Sequence, residues 1–215
     1  MNKTLLSILV IAFFSVNISI FSQEKKEPPI PFETLFGNRR VAMSLAVNKS
    51  IGGKFRYNNI SSAAAFYDYQ KGKTELVSVN SIVYQFHKNV GISAGTQYHF
   101  IKGFIPTAAI HFSKANPTWL LVLTPYYNFM PWSNIETVAI AEYKPTLNKD
   151  WRLFTRLQGF YSHDFKKNER ERTMLYFRLG ATYQKYTLGI GGNIDGYRPE
   201  RSCIQNYGGF FRIDI

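Results

Sequence analysis

The sequence predicts an all-β fold, an antiparallel up-and-down transmembrane β-barrel of about 12 strands, with 10–12 as the range the pattern allows. Three observations predict it. Apolar residues recur with period two rather than 3.6 along the chain. Past the N-terminus no segment offers the roughly 18 unbroken apolar residues of a helical membrane span. Aromatic residues number 18 Phe, 14 Tyr and 3 Trp, more than one soluble core would ordinarily hide, whereas a barrel places them outside in an apolar band with aromatic girdles. A chain that crosses a bilayer without helices must close its sheet, because an open edge leaves backbone groups unpaired in hydrocarbon.

Taken from the start, residues 1–22 read as a secretory signal peptide: Lys3, then the apolar run Leu5–Phe14, then a Ser-rich stretch ending at Ser22. Ser15, Asn17 and Ser19 interrupt the run, which argues against a membrane anchor. Residues 23–29 are charged and Pro-rich and read as a linker, leaving 30–215 for the barrel. Ile30–Phe36, followed by Gly37–Asn38, is a short first strand weakened by Pro31.

From Arg40 onward eleven further strands follow. Val41, Met43, Leu45 and Val47 interleave with Ala42, Ser44, Ala46 and Asn48. Lys54 to Tyr69 changes phase near Asn58–Asn59, which predicts a bulge. Val90 to Phe100 and Phe104 to Phe112 alternate cleanly, while Trp119 to Phe129 starts apolar on both faces and contains Pro125. In the later strands Arg152, Arg156, Arg172 and Arg178 fall on the polar face. A dry core would have to bury those guanidiniums at high cost, and a wet lumen accepts them. Lys49–Gly53, Lys88–Asn89, Lys114–Pro117, Leu147–Asp150 and Gln184–Lys185 are short turns carrying lysine; Lys166–Arg172 and Gly196–Ser202 are more charged loops. The two sets match the periplasmic and extracellular ends of such a barrel.

The chain ends with Tyr207, Phe211, Ile213 and Ile215 alternating to the carboxyl end. In this it resembles the outer-membrane β-barrel class of Gram-negative bacteria. The resemblance implies a porin-like architecture in the cell outer membrane. It also implies recognition by the barrel-insertion machinery and contact with outer-membrane lipid and lipopolysaccharide.

The formal net charge is +12, but the basic residues are spread over turns and single strand positions, and no nucleic-acid motif is present. The single cysteine, Cys203, allows no internal disulfide. By parity Glu136, Glu142, Arg152, Arg156 and Arg178 face inward. With a turn centred near Leu147, Glu142 falls opposite Arg152, and Arg178 lies near Gln158, which lies near Glu136. This lumenal charge belt predicts either a filter favouring small anionic solutes or an interior filled by its own ion pairs. Six residues along a strand separate Glu136 from Glu142 by roughly 20 Å, too far for paired glycosidase carboxylates.

The four histidines show no metal-binding spacing, and no cofactor is implied. Gly189–Gly192 is not followed by a helix pattern and so is no phosphate loop. His111-Phe112-Ser113 looks like the His-x-Ser motif of outer-membrane lipid A deacylases, and the resemblance implies Ser113 as nucleophile and His111 as base. That family adds a carboxylate on the neighbouring strand, and Trp119 to Phe129 holds no Asp or Glu. Three functions therefore stand: a porin-like channel or structural barrel, a lipid A-modifying esterase, and a secreted soluble β-sandwich that binds a ligand.

Overall fold

The computed structural model describes residues 27–68, 74–129, 133–197 and 202–215. The expected signal peptide and residues 23–26 of the linker lie outside these. The described residues contain no helix and form β1 (Pro31–Gly37), β2 (Arg40–Gly52), β3 (Phe55–Phe66), β4 (Glu75–His87), β5 (Val90–His99) and β6 (Gly103–Ala115). They continue with β7 (Trp119–Asn128), β8 (Asn134–Tyr143), β9 (Trp151–Asp164), β10 (Glu169–Tyr183), β11 (Tyr186–Tyr197) and β12 (Cys203–Asp214). Each strand pairs antiparallel with its sequence neighbours, and β12 returns to β1, from Pro31↔Asp214 to Gly37↔Gly208, closing the barrel. The seam is sealed at its end by Ile30 N donating to Ile215 O (2.8 Å) and Ile215 N donating to Ile30 O (3.0 Å).

One closed sheet has no second layer to pack against, so the soluble β-sandwich is overturned. With an even strand number, Ile30 and Ile215 share one rim, here the near rim, with the turns after β2, β4, β6, β8 and β10. These are the turns expected to be short. Gly53 takes the left-handed conformation (φ 55°) that the β2–β3 turn requires. Of the loop Gly196–Ser202 at the far rim, residues 198–201 lie outside the described residues.

The expected bulge at Asn58–Asn59 is not there. The β2–β3 and β3–β4 registers run unbroken through both residues. The change of phase instead reflects polar residues on the outer face. Register shifts occur at Ser50/Gly52, Tyr84/His87 and Arg170/Arg172. Pro125, which has no N–H to give, coincides with a lapse in the β6–β7 ladder between Ala109↔Tyr126 and Phe112↔Leu123.

Period two sorts the side chains as the sequence indicates. Phe104, Leu188 and Ile190 stand 63–75% exposed on the outside. Neighbouring rings form a girdle at the near rim, with Trp119 on Tyr143 (4.4 Å between centroids) and Trp151 on Tyr183 (5.1 Å). A second girdle lies toward the far rim, where Tyr98 meets Phe104 (5.0 Å) and Tyr127 meets Phe129 (5.1 Å). Inside, most of the described buried residues are polar, and an apolar cluster, Leu35, Phe154 and Phe210, packs on the side of β1, β9 and β12. A greasy exterior over a polar interior inverts the arrangement of a water-soluble domain.

Candidate functional site: a charged lumen

The interior charges fall into two tiers. The near-rim tier is built by β1, β8, β9, β10 and β12. Glu33 on β1 accepts from Arg156 Nη2 (2.6 Å) and Arg178 Nε (2.8 Å) through one carboxylate oxygen. Arg156 and Arg178 are direct cross-strand partners. Like charges placed so repel, and Glu33 reaches over from three strands away to Arg178 and four to Arg156 to offset part of that repulsion. Arg178 also donates to Asn193 Oδ1 (2.9 Å). Glu142 holds Arg212 Nη1 (3.0 Å) and Lys144 Nζ (2.8 Å), and Arg212 turns its Nε to Asp214 (2.8 Å) while lying over the Phe154 ring.

The far-rim tier also joins strands that are not neighbours. Arg40 on β2 pairs with Asp195 on β11, both fully buried. Glu75 on β4 meets Arg172 on β10 at 2.8 Å, and Tyr197 donates to Glu75 (2.7 Å) while accepting from Arg172 (2.6 Å). Lys102 binds Glu171 (3.1 Å), to which Asn134 and Ser162 each donate at 2.9 Å. The bulge at Arg170/Arg172 is what turns Glu171 inward beside Arg172.

The expected belt is therefore divided. Glu142, Arg152, Arg156 and Arg178 lie toward the near rim. Glu136 lies in the far half, receiving Asn134 Nδ2 at 3.2 Å. The expected pairings are corrected. Glu142 stands opposite Arg156, not Arg152; Arg178 stands opposite Arg156, not Gln158; and Glu136 stands opposite Ser162. The first correction has a local cause. Asn148 Oδ1 accepts from Asp150 N and Trp151 N (both 3.0 Å), an Asx turn that centres the hairpin beyond Leu147. Arg152 bridges Thr146 instead and donates to Gln184 O (3.4 Å) at the near rim.

Glu33, Arg212 and Glu75 were missed. Arg212 was legible, since Phe211 and Ile213 face outward on either side of it. Glu33 and Glu75 sit close to strand ends, where alternation is too short to assign a face.

The wall from β3 to β7 differs. Between the rims its buried inward side chains carry no formal charge: polar Asn58, Ser81, Ser93, Gln97, Thr107 and Thr124 alternate along the wall with apolar Val83, Ile105, Ala109 and Tyr126. His111 faces the lumen here, but its Nε2 lies 2.8 Å from Ser93 Oγ on β5, not in a bond with Ser113. Ser113, toward the near rim, is exposed, with its backbone N–H donated to Asn89 O. Its neighbour strand β7 carries no carboxylate. Among the described residues no group of three His, Cys, Asp or Glu side chains gathers to hold a metal.

A wall of twelve strands with a polar bore can be compared directly with solved barrels. The chain is similar to the NanC porin, with a TM-score of 0.54 over 86% of this chain and 98% of that one at 9% identity. It shares the barrel fold of that porin. The KdgM porin follows with a TM-score of 0.47 and 12% identity over the same shares, and OccK2 of Pseudomonas aeruginosa with 0.41 and 11% over 78% of this chain and 63% of that one. No family model matches the chain, and no curated protein matches it. The likeness is one of architecture. The charges that line the bore have to be read from this chain itself.

Proposed function

We propose that this chain is a narrow porin-like channel of the cell outer membrane that passes small solutes and prefers anions. The observation that carries this reading is the distribution of charge. Ion pairs reach across the inside of a closed barrel whose outside is apolar and girdled with aromatics. The near-rim tier holds more cations than carboxylates: Lys144, Arg152, Arg156, Arg178 and Arg212 against Glu33, Glu142 and Asp214. An anion entering there meets guanidiniums whose carboxylates are shared, and a fixed positive field favours it. Between its rims the wall of β3 to β7 carries no formal charge and gives the solute a neutral surface beside the charged one.

The same reading assigns outer-membrane lipid and lipopolysaccharide to the outer face and the barrel-insertion machinery to assembly through the terminal strand. It assigns export to residues 1–22.

Planar-bilayer recording tests the channel. In a salt gradient, discrete conductance steps are expected, with a reversal potential on the anion-selective side. Arg152→Glu, which changes a guanidinium at the near rim without breaking a buried pair, is expected to move that potential toward zero. Cation preference in the unaltered protein contradicts the proposal.

A further inference from the structure

The outer face is not apolar everywhere. At mid-height on β3 and β4, Tyr57, Asn59, Ser61, Ser78 and Asn80 point outward. They share the face of Phe55, Leu76, Ile82 and Tyr84, which are exposed, and the register places Thr96 of β5 beside Asn80. Their side chains form one network. Tyr57 OH and Asn59 Nδ2 donate to Asn80 Oδ1 (2.8 and 2.9 Å). Asn59 Nδ2 also donates to Ser78 Oγ (3.1 Å), Ser61 Oγ donates to Asn59 Oδ1 (3.1 Å), and the two serine hydroxyls lie 2.8 Å apart. The opposite wall shows nothing similar: Leu157, Leu175, Phe177, Leu179, Leu188 and Ile190 are all exposed and all apolar.

We infer that the outer face of β3, β4 and β5 is a contact surface for a second copy of this chain, joined at mid-barrel through the Asn59–Asn80 cluster. The inference rests on the proposed placement in a membrane. There, acyl chains offer this cluster neither donors nor acceptors, and lipid headgroups sit at the rims, about 15 Å from the middle of the hydrocarbon layer. The cluster carries no formal charge, and each of its amides and hydroxyls both donates and accepts. A copy related by a two-fold axis can therefore present the matching group at each position. Ala63, Ala65 and Ala94, on the same outer face, keep the neighbouring surface low. Small residues around hydrogen-bonding side chains are the composition by which membrane segments pack closely.

The test uses the full chain in its membrane, with Cys203→Ala as background and cysteine placed at Ala63, which borders the network without belonging to it. A short bis-maleimide crosslinker is expected to give a dimer from Ala63→Cys and none from Leu188→Cys on the opposite wall. Adding Asn59→Leu and Asn80→Leu is expected to reduce the Ala63→Cys dimer at least fivefold while the barrel still shifts mobility on boiling. A folded, membrane-bound barrel that yields no dimer, dimers equally at both positions, or an adduct of another mass overturns the inference and leaves the channel reading intact. Extraction without detergent overturns the membrane placement itself.

Discussion

Glu75 and Arg172 bind each other at 2.8 Å from strands six apart in either direction around the twelve-strand wall, so their ion pair spans the bore along a diameter. Tyr197 braces it, touching both partners, with its ring 4.6 Å from the Arg172 guanidinium. The pair is a crossbar toward the far rim of the lumen. Shortening it by Arg172→Ala is expected to raise single-channel conductance about twofold or more. A conductance that does not change would place the ion path elsewhere.

Glu33 bridges two guanidiniums with one buried carboxylate. Removing it leaves Arg178 without a carboxylate partner and directly opposite Arg156, whose remaining acidic neighbour is Glu142. Glu33→Ala is therefore expected to destabilise the barrel by about 3–5 kcal/mol, the cost of orphaning one partner of a buried ion pair. Urea unfolding of the refolded protein in lipid vesicles, followed by gel mobility with and without boiling, reads it. Arg152→Ala, which touches only a backbone carbonyl at the rim, is expected to change stability by less than about 1 kcal/mol.

The seam between β1 and β12 depends on a glycine. A Cβ added at Gly208 would run into the Phe36 carbonyl across the seam, whereas one at Gly159 meets nothing within 4 Å. Gly208→Val is expected to block closure, seen as loss of the mobility shift on boiling, and Gly159→Ala to preserve it. A Gly208→Val barrel that closes normally would show that the seam can widen to admit a side chain.

Much of the wall was legible because each strand declares its faces locally. Alternation is a property of neighbouring residues, so the twelve strands, the two classes of turn and the inward Arg156 and Arg178 could be read without a partner strand. What could not be read depends on relationships between strands. The Glu142↔Arg156 register hinges on where Asn148 folds the hairpin, and a shift of the turn centre moves every pairing above it. The Glu75–Arg172 crossbar exists only once the sheet has closed, and no local pattern links residues six strands apart. Asn59 and Ser61 broke the outer alternation. The break was visible in the sequence, but a bulge and a polar outer patch leave the same mark there.

The central claim is that the apolar side of the period-two pattern faces acyl chains. Trp119 and Trp151 sit on that side in the near-rim girdle. With Trp132→Phe removing the third emitter, tryptophan fluorescence in bilayers of lipids brominated on their chains measures the contact directly. Strong quenching, deepest for bromines near the headgroup end of the chain, is the predicted result. Emission untouched by bromine but quenched by aqueous acrylamide would contradict it.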